Sequence, residues 1–172
     1  MSRKQKVLIL GTGFAGKGHA EAFRAAGAEI VGIVGRTTHV LNKLAEDLGI
    51  PYVGTDWQDA LKVCQPDIVC IGTPGGAHFE PIKQTIARGC HIFCDKPLTE
   101  SAGSAVELYE LAQKKGIKTA YAAPPILPHS LRESAGQVFI VFGFVLGKRA
   151  GRGALKLLKR PARFCWSFIS ER

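Results

Sequence analysis

Long apolar runs and paired cysteine motifs are missing from this 172-residue chain, and no opening stretch resembles a signal peptide. Met1–Lys6 is polar and the first apolar stretch, Val7–Leu10, stops at glycines, so no signal peptide is expected and a cytoplasmic location is. The longest apolar stretch, Val138–Leu146, is nine residues with Gly143 inside it. A helical span of a ~30 Å hydrocarbon core needs about 20, so no membrane span is expected. The five cysteines (Cys64, Cys70, Cys90, Cys94 and Cys165) are an odd set without C-x-x-C spacing, which argues against a disulfide framework and a structural zinc site. Cys90 and Cys94 fall in one predicted strand, about 13 Å apart at ~3.3 Å per residue, too far to share a metal; buried thiols are the expectation.

Charge of one sign is scarce where it would matter. The chain carries a net +9, but residues 1–123 hold 14 Lys+Arg against 12 Asp+Glu, and residues 124–172 hold 9 against 2. A nearly neutral amino-terminal region without interleaved aromatic and basic residues has no electrostatic footprint for nucleic acid, and no nucleic-acid partner is expected. What is there is ordinary for a globular protein, with 46% apolar and 22% charged residues, enough for one domain and a tail.

Up to Tyr121 short β-branched runs alternate with amphipathic stretches, the pattern of βαβ units around a parallel sheet. Strands are predicted at Lys6–Leu10, Glu29–Val34, Pro51–Val53, Asp67–Ile71, Cys90–Cys94 and Ile117–Tyr121. Gly27, Gly49, Gly89 and Gly116 each follow a helical run, where a left-handed cap calls for glycine. Thr55 with Gln58 reads as a capping box ahead of the Trp57, Ala60, Leu61, Cys64 face, and Thr99 as the cap of a helix buried through Ala105, Leu108, Leu111 and Ala112. After Ala123 the pattern stops at Pro124, Pro125 and Pro128, and a basic, glycine-containing stretch follows. The fold class expected is therefore α/β, a doubly wound parallel sheet of the Rossmann type in residues 1–123, with 124–172 a divergent basic tail dispensable for the fold.

Gly11-Thr12-Gly13-Phe14-Ala15-Gly16 is a G-x-G-x-x-G loop placed directly after a predicted strand and at the start of a predicted helix. Gly11 allows the tight turn, Gly13 lets backbone approach a pyrophosphate, and Gly16 lets helix and strand pack closely. The phosphates would rest on N–H groups at the positive end of the helix. The second strand then ends Val34-Gly35-Arg36-Thr37-Thr38, with no acid to bind a ribose 2′-hydroxyl. Arg36 has the planar fork that pairs with a 2′-phosphate and Thr37 or Thr38 can add a hydroxyl, so NADP is favoured, with NAD the alternative.

Residues 11–23, Thr73-Pro74-Gly75-Gly76-Ala77-His78 and Gly89-Cys90-His91-Ile92-Phe93-Cys94-Asp95-Lys96-Pro97-Leu98 together resemble the Gfo/Idh/MocA oxidoreductases, over about residues 4–123. The resemblance implies that Thr73 and Pro74 line the cofactor, that His78, Asp95 and Pro97 belong to the same crevice, and that Lys96 points toward nicotinamide and substrate as the catalytic group. An ammonium there could polarise a carbonyl or alcohol oxygen whose charge changes during hydride transfer. Its simpler reading is a surface ion pair with Asp95. His78 is expected to cap or orient the following helix rather than move protons, and His19 to pack within the first helix. Asp95 stands where glutamate is commoner, and Gly75-Gly76 where an asparagine-containing turn is usual, which suggests a looser loop.

In the family a mainly antiparallel α+β substrate domain follows the sixth strand and supplies an acid or base histidine. Here the pattern breaks at Ala123 and only His129 follows, so the expectation is that this domain is missing and the tail comes from aberrant translation. Three functions remain open: an NADP-dependent oxidoreductase domain acting on a sugar or polyol, a dinucleotide-binding module without turnover, and an interaction protein on a Rossmann scaffold.

Overall fold

Residues 3–122 are described by the computed structural model, and the tail expectations lie outside these residues. Six short strands, β1 (Lys6–Leu10), β2 (Glu29–Val34), β3 (Tyr52–Gly54), β4 (Ile68–Ile71), β5 (His91–Asp95) and β6 (Thr119–Ala122), form one parallel sheet in the order β3-β2-β1-β4-β5-β6. Five helices connect them: α1 (Phe14–Ala25), α2 (Thr38–Leu48), α3 (Trp57–Cys64), α4 (Phe79–Ala87) and α5 (Ala102–Lys114). This is the doubly wound Rossmann architecture the alternating pattern predicts. The central strands are apolar throughout because helices cover both faces of a parallel sheet. Leu8, Leu10, Val69, Ile71, Ile92 and Cys94 join Ala60, Leu61, Ile82, Ile86, Leu108 and Ala112 in one core. Phe93, between Ile92 and Cys94, turns the other way and meets His19 and Phe23 of α1 edge-on, at 4.9 and 5.6 Å between ring centroids.

The glycine caps are where the sequence puts them. Gly27, Gly49, Gly89 and Gly116 have φ of +89°, +60°, +79° and +64°. In each case the next residue's N–H reaches back into the helix, as in Ile50 to Ala45 (2.9 Å) and Ile117 to Ala112 (2.9 Å). The same bonds explain why β5 and β6 start later than predicted: the N–H groups of Cys90 and Ile117 close α4 and α5 instead of joining the sheet ladder. The amino ends differ too. Asp56, not Thr55, caps α3 by accepting the Gln58 N–H at 2.8 Å, and Ser101, not Thr99, caps α5 by accepting the Ser104 N–H at 3.1 Å. Each cap occupies the last extended residue before its helix, the position from which a short oxygen reaches the second or third N–H.

Cys64, Cys70, Cys90 and Cys94 are buried free thiols, as expected; burial pushes all four upward in pKa, Cys94 to about 12. No group of metal-ligating side chains occurs among the described residues. Among the same residues no helix is long and apolar enough to cross a membrane.

Two stability effects follow. Thr85 of α4 is fully buried and its hydroxyl has no hydrogen-bond partner among the described residues. Thr85→Val replaces that hydroxyl by a methyl and is expected to raise the melting temperature by about 2–5 °C, from ~1 kcal/mol of desolvation cost relieved. At the amino ends of the central strands Asp67 joins the start of β1 to β4. Burial alone would raise its carboxyl, but the Lys6 backbone N–H (2.8 Å) and the Arg3 guanidinium outweigh that and hold it below the usual value. Its folded value lies below the unfolded one, so the contribution is present above about pH 4 and is lost as pH falls through the folded value. Acid melts of Asp67→Asn should lose part of the wild-type pH dependence in that window.

Candidate functional site

The strand order reverses between β1 and β4, and a crevice in such sheets opens beyond the carboxyl ends of these strands. Four loops meet there, and glycines decide how closely. Gly11, at φ +114°, donates its N–H to the Val34 carbonyl at 2.7 Å, and Gly72 donates to the Leu10 carbonyl at 2.7 Å, so the ends of β2, β1 and β4 are tied to one another. A side chain on Gly11 would lie 2.5 Å from the Gly72 oxygen, and one on Gly16 would collide with the Gly11 carbonyl. A side chain on Gly35 would lie 2.6 Å from Thr12, and one on Gly75 would lie 2.5 Å from the Pro97 ring. The loops after β2, β1, β4 and β5 thus form one continuous rim. The expected looseness at Gly75-Gly76 gives way to a 3-10 turn, Gly75–Ala77, whose missing side chain admits Pro97.

Gly13 is the exception among the loop glycines. A side chain there would meet nothing within 4 Å, and its backbone, at φ −70° and ψ −175°, is one any residue adopts. Fold therefore does not require glycine at 13. A ligand lying against the loop would require it, at the amino end of α1, where no side chain caps the helix and no acid stands in the first turn. Nearby, the Thr73 hydroxyl is buried with no hydrogen-bond partner among the described residues. Open space at Gly13, an uncapped positive helix end and this hydroxyl fit a pyrophosphate-containing dinucleotide.

The remaining site residues divide by exposure. Phe14, Arg36, Thr37, Pro74, Lys96 and Pro97 are exposed, whereas Thr12, Ala15, Thr73 and Asp95 are half-buried. Arg36 and Thr37 follow β2, and Thr37 occupies the cap position of α2 without using its hydroxyl to cap. Asp56, the acid that follows β3, caps α3 through its Oδ1. Lys96 and Asp95 form no ion pair; the Asp95 carboxylate instead accepts the Lys96 backbone N–H at 2.8 Å. The Lys96–Pro97 peptide bond is cis.

His78 is completely buried and touches the crevice only through other groups. It stands at the cap position of α4 but its side chain does not cap the helix. Its Nε2 lies 2.6 Å from the Thr73 carbonyl and its Nδ1 2.7 Å from the Pro97 carbonyl. It joins loops rather than orienting its own helix. His19 packs beyond its helix, against Phe93, and burial lowers its pKa although nearby Asp95 opposes this. Gly35 and Gly72 also build the rim; glycine directly after a strand is the signal that marks both.

A parallel sheet reversing at β1 and β4, with a glycine loop open only at Gly13, defines a dinucleotide-binding Rossmann domain. Residues 5–122 match Gfo/Idh/MocA, an oxidoreductase family with an NAD-binding Rossmann fold, and the chain belongs to that family. It is 30% identical over 131 residues to the D-xylose 1-dehydrogenase (NADP(+)) 2 of Haloferax volcanii, covering 76% of this chain and 40% of that protein. It is 31% identical over 116 residues to the inositol 2-dehydrogenase of Corynebacterium glutamicum, covering 66% of this chain and 34% of that protein. Among solved structures, GenD2 from gentamicin A biosynthesis in complex with NAD superposes with a TM-score of 0.64 at 30% identity, over 70% of this chain and 35% of that one. The chain thus spans about a third of the length of these relatives.

Proposed function

We propose that this chain is the cofactor-binding part of a sugar or polyol oxidoreductase and that it takes NADP in preference to NAD. The observation that carries the cofactor preference is the end of β2, where an exposed Arg36 and an uncommitted Thr37 hydroxyl stand with no carboxylate beside them. A guanidinium fork and a hydroxyl suit a 2′-phosphate; a 2′-hydroxyl would want an acid as acceptor. The named relatives divide, one dehydrogenase being named for NADP(+) and one solved structure holding NAD, so the choice rests on this chain's own residues. The substrate class rests on the relatives' names, a xylose and an inositol dehydrogenase.

In this reading the glycine loop and the amino end of α1 hold the pyrophosphate, and Arg36 with Thr37 grips the adenine-side phosphate. Thr73 and Pro74 wall the crevice beyond β4. When bound, the nicotinamide group supplies or accepts a hydride. Lys96 follows β5, and its ammonium polarises the substrate oxygen as charge builds on it. Fluorescence titrations of the full chain with NADPH and NADH test the proposal. Saturable binding with NADPH at least about tenfold tighter is expected from one charge-assisted contact. Equal affinities overturn the preference, and no binding of either overturns the cofactor reading.

A further inference from the structure

The two loops that face the β4–β6 half of the crevice share one buried connection. His78 approaches the carbonyl of Thr73, in the loop after β4, and the carbonyl of Pro97, in the loop after β5, at 2.6 and 2.7 Å. Beneath the ring lies Cys94 of β5, whose Sγ is 3.4 Å from Nδ1. A histidine at the end of one loop therefore holds the peptide unit that begins at Pro97 in the other, adjacent to Lys96. Lys96 itself is exposed and forms no ion pair among the described residues, so its placement comes from its backbone.

We infer that His78 is a positioning residue that locks the loops after β4 and β5 into one wall, and so sets where Thr73 and Lys96 stand against the nicotinamide half of the cofactor. The inference rests on the proposed cofactor reading. A doubly wound sheet is two mononucleotide-binding halves. The glycine loop and Arg36 belong to the β1–β3 half, whereas His78, Thr73 and Lys96 belong to the β4–β6 half. Losing the lock should then weaken ligands that possess a nicotinamide and spare those that lack one.

The test compares NADPH with 2′-phospho-ADP-ribose, which keeps the adenine-side phosphate and the pyrophosphate but has no nicotinamide, on the full chain and its variants. His78→Asn keeps a donor near the Nδ1 position and His78→Gln one near the Nε2 position; His78→Phe keeps neither. NADPH affinity should fall about fivefold for His78→Asn and His78→Gln, and about tenfold or more for His78→Phe, in line with loss of the polar contact to one or both carbonyls. Affinity for 2′-phospho-ADP-ribose should stay within about twofold, since its contacts lie in the other half. If His78→Phe does not fold, the Asn and Gln variants decide the matter, with thermal melts recorded for each. Equal weakening of both ligands, or no change in either, overturns the positioning role while leaving the cofactor reading intact. A wild-type chain that binds neither ligand overturns both.

Discussion

Gly13→Val should abolish NADPH binding while leaving a folded protein. Substitution at 13 meets no protein atom within 4 Å and asks for no unusual backbone angle, so the folded state has little reason to object. Valine is a poorer residue than glycine at a helix cap, which costs about 1 kcal/mol and a few degrees in the melt. The branched side chain would instead occupy the volume a pyrophosphate needs. Overfilling a site costs ~1–3 kcal/mol, and lost phosphate hydrogen bonds add to it, so affinity should fall roughly 100-fold or more. Gly16→Val is the matching control. Its side chain collides with the Gly11 carbonyl inside the fold, and the variant should lose its cooperative melt altogether. A folded Gly13→Val chain with wild-type NADPH affinity would remove the glycine loop from the cofactor site.

The contrast between Gly11, Gly13 and Gly16 also marks the reach of sequence reading. The motif and its three roles are legible because each role follows from the absence of a side chain at a fixed distance from a strand and a helix. The six strands are legible for a similar reason, since buried parallel strands have to be short, apolar and punctuated by glycine caps. Helix starts are less so. Threonine, serine and aspartate all cap, and several stand in a row at Thr55-Asp56 and Thr99-Glu100-Ser101, so composition alone does not say which one is last before the helix. The left-handed end of α3 at Gln65, φ +44°, gives no glycine to read. His78 was legible as a structural histidine, but its partners were not. They are backbone carbonyls at Thr73 and Pro97, and nothing in the identity of residues 73 and 97 reports where a main-chain oxygen turns. The Arg36 end of β2 sits between these cases, because its meaning depends on a missing acid. Asp56 is an acid that follows the neighbouring strand, and its Oδ1 accepts the Gln58 and Asp59 N–H groups at the start of α3.

Arg36→Asp should invert the cofactor preference. In NADPH binding the substitution removes a guanidinium partner of the 2′-phosphate and puts a carboxylate in its place. Loss of a charge-assisted hydrogen bond is worth about 1.5–3 kcal/mol and like-charge opposition adds to it, which predicts roughly 100-fold weaker NADPH. NADH has no phosphate to lose, and the new carboxylate can accept its 2′-hydroxyl, so its affinity should hold or improve by a few fold. Arg36→Gln separates the two effects, because it removes the cation without adding an acceptor anion; it should weaken NADPH about tenfold and leave NADH nearly unchanged. Stability should not move with either change, since Arg36 is exposed and no hydrogen bond or ion pair within the described residues uses its side chain. Salt gives an independent reading of the same contact. Screening weakens exposed charge pairs, with a Debye length of about 8 Å at 0.15 M falling to about 3 Å at 1 M. The wild-type preference for NADPH should therefore narrow as salt rises, while the preference of the Asp variant for NADH should narrow as the repulsion it depends on is screened. Parallel losses for both cofactors in Arg36→Asp, or a wild-type preference indifferent to salt, would mean that selection between NADP and NAD lies elsewhere along the rim.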